Sequence, residues 1–189
     1  MNRRRFLFLG IVAFIYLIFS PLASAEQLYQ NKEFGFHVKF PDGWELWELK
    51  NSNNPRVVVR ADNPESGCSL NIWARKQRKP ESLEDYSTEK IHNLACKIFR
   101  EEISKKFNNA QLVDFGDTSL GRRKTGWLVY TCTHNTGAGD RNMKLAQFFT
   151  DYRGVDFTLT FAGPAKELDR LIEVYISVMM SFSFENRLQ

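Results

Sequence analysis

The feature that most constrains the fold of this chain is a two-residue rhythm of apolar side chains that recurs along most of its length. In "VDFTLTF" (155–161), Val155, Phe157, Leu159 and Phe161 alternate with Asp156, Thr158 and Thr160, the period of a strand buried on one face. "FGFHVKF" (34–40) sets Phe36, Val38 and Phe40 against His37 and Lys39 in the same way. "PDG" at 41–43 then supplies a turn, because proline presets one dihedral and glycine accepts a positive one. "WELWEL" resumes with Trp44 and Leu46 on one side and Trp47 and Leu49 on the other. Further strands are expected at "RVVVRA" from Arg56, "CSLNIWA" from Cys68, "QLVDFGDTSL" from Gln111, "GWLVYTCTH" from Gly126 and "KLAQFFTDY" from Lys144.

Two segments change to helical spacing. Ser82 with Asp85 three residues on is a start signal of the capping-box kind, and Leu83, Tyr86, Ile91, Leu94, Ala95, Ile98 and Ile103 continue it to "FNN" at 107–109. Leu168, Leu171, Ile172, Tyr175, Val178 and Met179 form one apolar stripe after Pro164, where the missing amide proton does no harm. "SFSF" (181–184) returns to alternation as a short closing strand or extended tail. Strands, a helix, more strands and a last helix describe an α+β layer fold with a mostly antiparallel sheet. Leu128 and Tyr130 lie opposite Trp127 and Val129 on one strand, so the sheet needs cover on both faces. The crowded rings Phe36, Phe40 and Trp44 are therefore expected in the core, not on a ligand surface.

Residues 1–25 stand apart. Arg3, Arg4 and Arg5 precede an apolar run from Phe6 to Phe19 and the small-residue ending Ala23-Ser24-Ala25, the order of a cleaved secretory signal peptide. The run is short for a membrane span of roughly 20 apolar residues. Arg3-Arg4 also fits the twin-arginine export pattern loosely. Three of the four formal net positive charges belong to this leader: without its three arginines, 23 basic residues face 22 acidic ones. A nucleic-acid partner is not expected of so balanced a domain. Residues 26–189 then form one domain of periplasmic or secreted location, with no integral membrane span in the mature protein.

"YQNKEFGFHVKFPDGW" (29–44), "SLEDY" (82–86), "FTLTFAGP" (157–164) and "SFSF" together resemble the PsbP-like, or Mog-type, superfamily, whose bacterial exported members include domains of unknown function. The resemblance spans nearly all of the mature chain. It implies an α/β/α sandwich around the antiparallel sheet and an accessory or partner-binding role without catalysis or cofactor. A fold alone does not fix such a role.

The chemistry-bearing residues are few. Signatures "GxSxG", "HExxH" and a phosphate loop are absent from the sequence, and no catalytic residue is assigned. Three cysteines in an oxidising compartment suggest one disulfide and one leftover thiol. Cys68–Cys96 is the expected pair, because sequential elements tend to be neighbours and a helix running back over the strand from Cys68 would bring them together. The competing use is zinc, held by His92 with Cys96 on the helix and Cys132 with His134 on a strand. Two basic connections, Arg75, Lys76, Arg78 and Lys79 in one and Arg122, Arg123 and Lys124 in the other, are expected at the same end of the sheet. They would meet another envelope or secreted protein, or an anionic surface. Trp73 faces the polar side of its strand beside them, as an aromatic anchor. The alternative is a periplasmic small-ligand or glycan binder using Trp47 and Trp73.

Overall fold

A computed structural model describes residues 26–48, 57–77, 81–135 and 139–185. In chain order the elements are β1 (Glu26–Asn31), β2 (Phe36–Pro41), β3 (Glu45–Glu48), β4 (Val57–Asn63) and β5 (Cys68–Lys76). Then come α1 (Thr88–Ile98), α2 (Ser104–Lys106), β6 (Asn108–Leu120), β7 (Arg123–Asn135), β8 (Asp140–Tyr152) and β9 (Val155–Pro164). The chain closes with α3 (Ala165–Arg170), α4 (Ile172–Ser181) and β10 (Ser183–Phe184). A small sheet has the order β1–β2–β10, and a seven-stranded sheet the order β3–β4–β5–β9–β8–β7–β6. Every neighbouring pair is antiparallel. The α+β expectation of a helix-covered, mostly antiparallel sheet holds.

Alternation assigns each side chain to a face. On one face of the large sheet, Leu70, Ile72, Phe157, Leu159 and Phe161 join Phe36, Val38, Phe40 and Trp44 in a single core, closed over by the small sheet and by Leu168, Tyr175 and Val178 of α3 and α4. Most of the rings meet edge-on or tilted, as Trp44 does Tyr175 and Phe36 does Phe157, arrangements favoured by ring quadrupoles, while Phe36 stacks on Phe182 and Tyr152 on Phe184. The opening aromatics are core, as their spacing implied. The opposite face has its own core, where Ile91, Ala95 and Ile103 meet Leu128, Tyr130, Leu145 and Phe149. Here α1 lies over β6 and β7. Gly126 permits that approach: a methyl group there would overlap the Phe149 ring and lie 2.8 Å from Ile91 Cγ2. Each face is thus covered over about half its width, by different material.

Three expectations change. Ser82 accepts from the Glu84 amide and caps only a short turn, Leu83–Asp85. The helix itself starts at Thr88 with Ser87 as its cap, because Asp151 on β8 takes the Leu83 amide at 2.6 Å and holds the turn apart. The last helix is broken at Leu171 (φ −94°, ψ 11°), whose amide is shared between the Glu167 and Leu168 carbonyls. The third change concerns sulfur. All three cysteines are unpaired. Cys68 lies in the first core and Cys132 in the second, while Cys96 rides on α1 over β6 and β7. The sheet stands between Cys68 and Cys96, so the expected bridge cannot close; it assumed a helix folded back over β5.

Phe36 is fully buried and Trp47 is 52% exposed. Phe36→Ala is therefore expected to lower the unfolding free energy by about 3–5 kcal/mol, and Trp47→Ala by no more than about 0.5 kcal/mol. Urea denaturation of the two variants checks the contrast.

Candidate binding surface

Strands β3, β4, β5 and β9 build an open floor beside α1. β5 buries Cys68, Leu70, Ile72 and Ala74 and turns Ser69, Asn71, Trp73 and Arg75 the other way. On this second face, Trp73 lies opposite Thr158 of β9 and Val57 of β4. One row over, Trp47 of β3 faces Arg60 of β4, Arg60 faces Asn71, and Asn71 faces Thr160. The two tryptophans therefore share one face, with Arg60 and Asn71 between them. Arg60 is locked to Asp62 by a forked contact, Nε to both carboxylate oxygens at 2.8 and 2.9 Å.

The basic connections do lie at one end of the large sheet, since Lys76 pairs with Val155 and Leu120 with Arg123, both beside the β8–β9 turn. Their charges are put to different uses. Arg75 Nη2 donates to Asp156 Oδ2 at 2.9 Å. Arg123 reaches Glu84, Asp151 and the Ser82 hydroxyl. Lys124 donates its backbone amide to Glu84 Oε1 at 2.7 Å and its ammonium to the Tyr86 carbonyl at 2.7 Å. Arg123 and Lys124 open β7 and clamp the Leu83–Asp85 turn to the sheet; they are not a free turn. Lys76 and Arg122 are exposed and have no carboxylate partner among the described residues. Arg78 and Lys79 lie outside the described residues. Exposed Arg153, absent from the sequence reading, stands at the same end with its guanidinium 5.1 Å from the Tyr152 ring.

Asp151 is the residue that sequence reasoning missed. It is buried, and its signal was available: in "FFTDY" it continues the face of Phe149 and so places a carboxylate inside. A buried carboxylate needs donors, which the Leu83 amide and Arg123 supply. Nearby, a hydrogen bond to the Glu81 carboxylate holds the Tyr86 phenol above its ordinary range, with burial adding to it.

The zinc alternative loses its helix ligand. His92 Nε2 is 3.2 Å from Asp117 Oδ1 on β6, with Phe115 edge-on to the ring. Among the described residues no group of three or more metal-ligating side chains comes together. Burial pushes the Cys132 thiol up, which disfavours the thiolate. The Tyr175 hydroxyl, deep in the first core, finds no oxygen or nitrogen partner among the described residues and faces the Cys68 thiol. No helix of the described residues is long and apolar enough to cross a membrane.

No family model and no curated protein matches the chain. Solved structures do. The cyanobacterial PsbP (CyanoP) of Synechocystis sp. PCC 6803 superposes with a TM-score of 0.60 at 18% identity, over 88% of this chain and 95% of that one. The Saccharomyces cerevisiae Ran-binding protein Mog1p gives 0.55 at 6% identity, over 86% and 96%. LpqN of Mycobacterium tuberculosis, involved in cell envelope biogenesis, gives 0.53 at 14% identity, over 86% and 92%. The fold is PsbP-like. Within this PsbP-like frame the resemblance carried by "FGFHVKFPDGW" marks the small sheet and its turn, which is scaffold.

Two outcomes test these assignments. Asp151→Asn is expected to destabilise the protein by about 1–3 kcal/mol, because Arg123 loses its buried counter-charge; thermal unfolding reads it. In the native protein a maleimide is expected to label the half-exposed Cys96 first, and Cys68 and Cys132 only after unfolding. Intact mass before and after denaturant follows the labelling.

Proposed function

We propose that this chain is an exported, non-enzymatic accessory protein that binds another envelope or secreted protein at the cationic end of its large sheet. The observation that carries this reading is the division of labour among the charges there. Arg123 and Lys124 fix the end of the sheet to the Leu83–Asp85 turn, while Lys76, Arg122 and Arg153 project from it. Arg78 and Lys79, by sequence, belong to the connection that follows Lys76. A rigid cationic rim beside a half-exposed tryptophan suits an acidic protein surface: charges steer the encounter and a buried indole anchors it.

The export reading rests on the leader at residues 1–25. The non-enzymatic reading rests on the roles of the polar clusters: Asp151, Glu84 and Asp117 each hold one element to another. Two relatives in fold support a binding role by analogy, one being a Ran-binding protein and the other involved in cell envelope biogenesis. A nucleic-acid partner fits less well, because the mature domain has almost no basic excess.

Affinity capture from an envelope fraction, with mass-spectrometric identification and re-binding of the purified partner, tests the proposal. Lys76→Glu with Arg122→Glu is expected to weaken binding at least tenfold, and added salt to weaken it further. Binding indifferent to both would overturn the assignment of the cationic end.

A further inference from the structure

The row Trp47–Arg60–Asn71 has a chemistry different from that of the cationic end. Its only cation is spent, since Arg60 is forked onto Asp62, and Arg75 at its margin is bonded to Asp156. The floor between the rings is polar and sunk: Thr160 is 9% exposed and Asn71 is half-buried. Neither the Asn71 amide nor the Thr158 hydroxyl carries a hydrogen bond to a described residue. Trp47, by contrast, is 52% exposed on a short edge strand. Two inter-strand steps of about 4.8 Å and two residues of about 3.4 Å place the Cα atoms of Trp47 and Trp73 about 12 Å apart.

We infer that this row, with Trp73 beside it, is a binding platform for a neutral glycan chain. An indole face is broad, flat and apolar with a negative centre, and the C–H faces of a pyranose ring are flat, apolar and slightly positive. The same sugar presents hydroxyl pairs at its rim, which match planar donors and acceptors: the Asn71 amide and the Arg60–Asp62 fork. The separation of the indoles suits a short oligosaccharide spanning both, not one monosaccharide. A phosphorylated or sulfated polymer gains little where the guanidinium groups already have carboxylate partners. A flat protein surface that covered the rings would leave the sunken amide and hydroxyl unpaired, at a cost.

The probes are a panel of neutral hexasaccharides (β-1,4-linked N-acetylglucosamine, β-1,4-glucose and α-1,4-glucose), with heparin as the anionic comparison, titrated by tryptophan fluorescence and calorimetry. At least one neutral hexasaccharide is expected to bind saturably, with an affinity unmoved by added sodium chloride. Trp47→Ala and Asn71→Ala should each weaken that binding at least tenfold, and Trp47→Phe should retain most of it. Lys76→Glu with Arg122→Glu should leave it unchanged, which separates this platform from the cationic end. Circular dichroism and thermal unfolding confirm that the variants fold. The inference is overturned if no neutral member of the panel binds. It is equally overturned if binding survives Trp47→Ala in a folded protein, or if heparin alone binds and salt removes it.

Discussion

Everything in this molecule depends on how one wide sheet is kept dry. Seven antiparallel strands present two faces, and the chain covers each over half its width. Strand β9 lies at the changeover. Phe157, Leu159 and Phe161 point into the core beneath the small sheet and α4, while Thr158 and Thr160 point to the face that α1 leaves open. Because the two covers sit on opposite faces and opposite halves, the uncovered quarter beside α1 is a consequence of the layering. That quarter holds the tryptophans, and its lower margin runs into the cationic end. The proposed binding surface and the scaffold therefore share the same strands, with alternate residues assigned to each.

Much of this was legible in the sequence wherever burial alone decided the outcome. Alternation in "VDFTLTF" and "FGFHVKF" named the inward residues correctly, because a strand buried on one side leaves no other register. Trp73 was placed on the polar side of β5 for the same reason. What local pattern could not reveal was which strands a helix would cover. The sequence rule that neighbours in the chain are neighbours in space put α1 over β5; the molecule puts it over β6 and β7, where Gly126 opens room for Ile91. The disulfide expectation failed with that placement. The late start of α1 has a similar origin: the Ser82 signal is real, but a carboxylate 68 residues away, Asp151, claims the next amide.

The site shows the same divide. Charge runs are visible as letters, and their common end of the sheet followed from topology. Their fates were not visible. Arg123 and Lys124 look like a basic turn in "GRRK" but serve as fasteners, because Glu84 arrives from a turn 40 residues earlier in the chain. The Arg60–Asp62 fork spans only two residues on one strand, yet its meaning comes from Trp47 and Asn71 on the strands at either side. Cross-strand neighbours of this kind are written in register, and register is set by the whole sheet.

The separation of the cysteines has a wider consequence. With one thiol in each core and the third on the covering helix, no covalent tie contributes to the native state, and the interior is held by apolar contact and backbone pairing alone. Folding of this domain therefore requires no sulfur oxidation, and a reducing and an oxidising solution serve it alike.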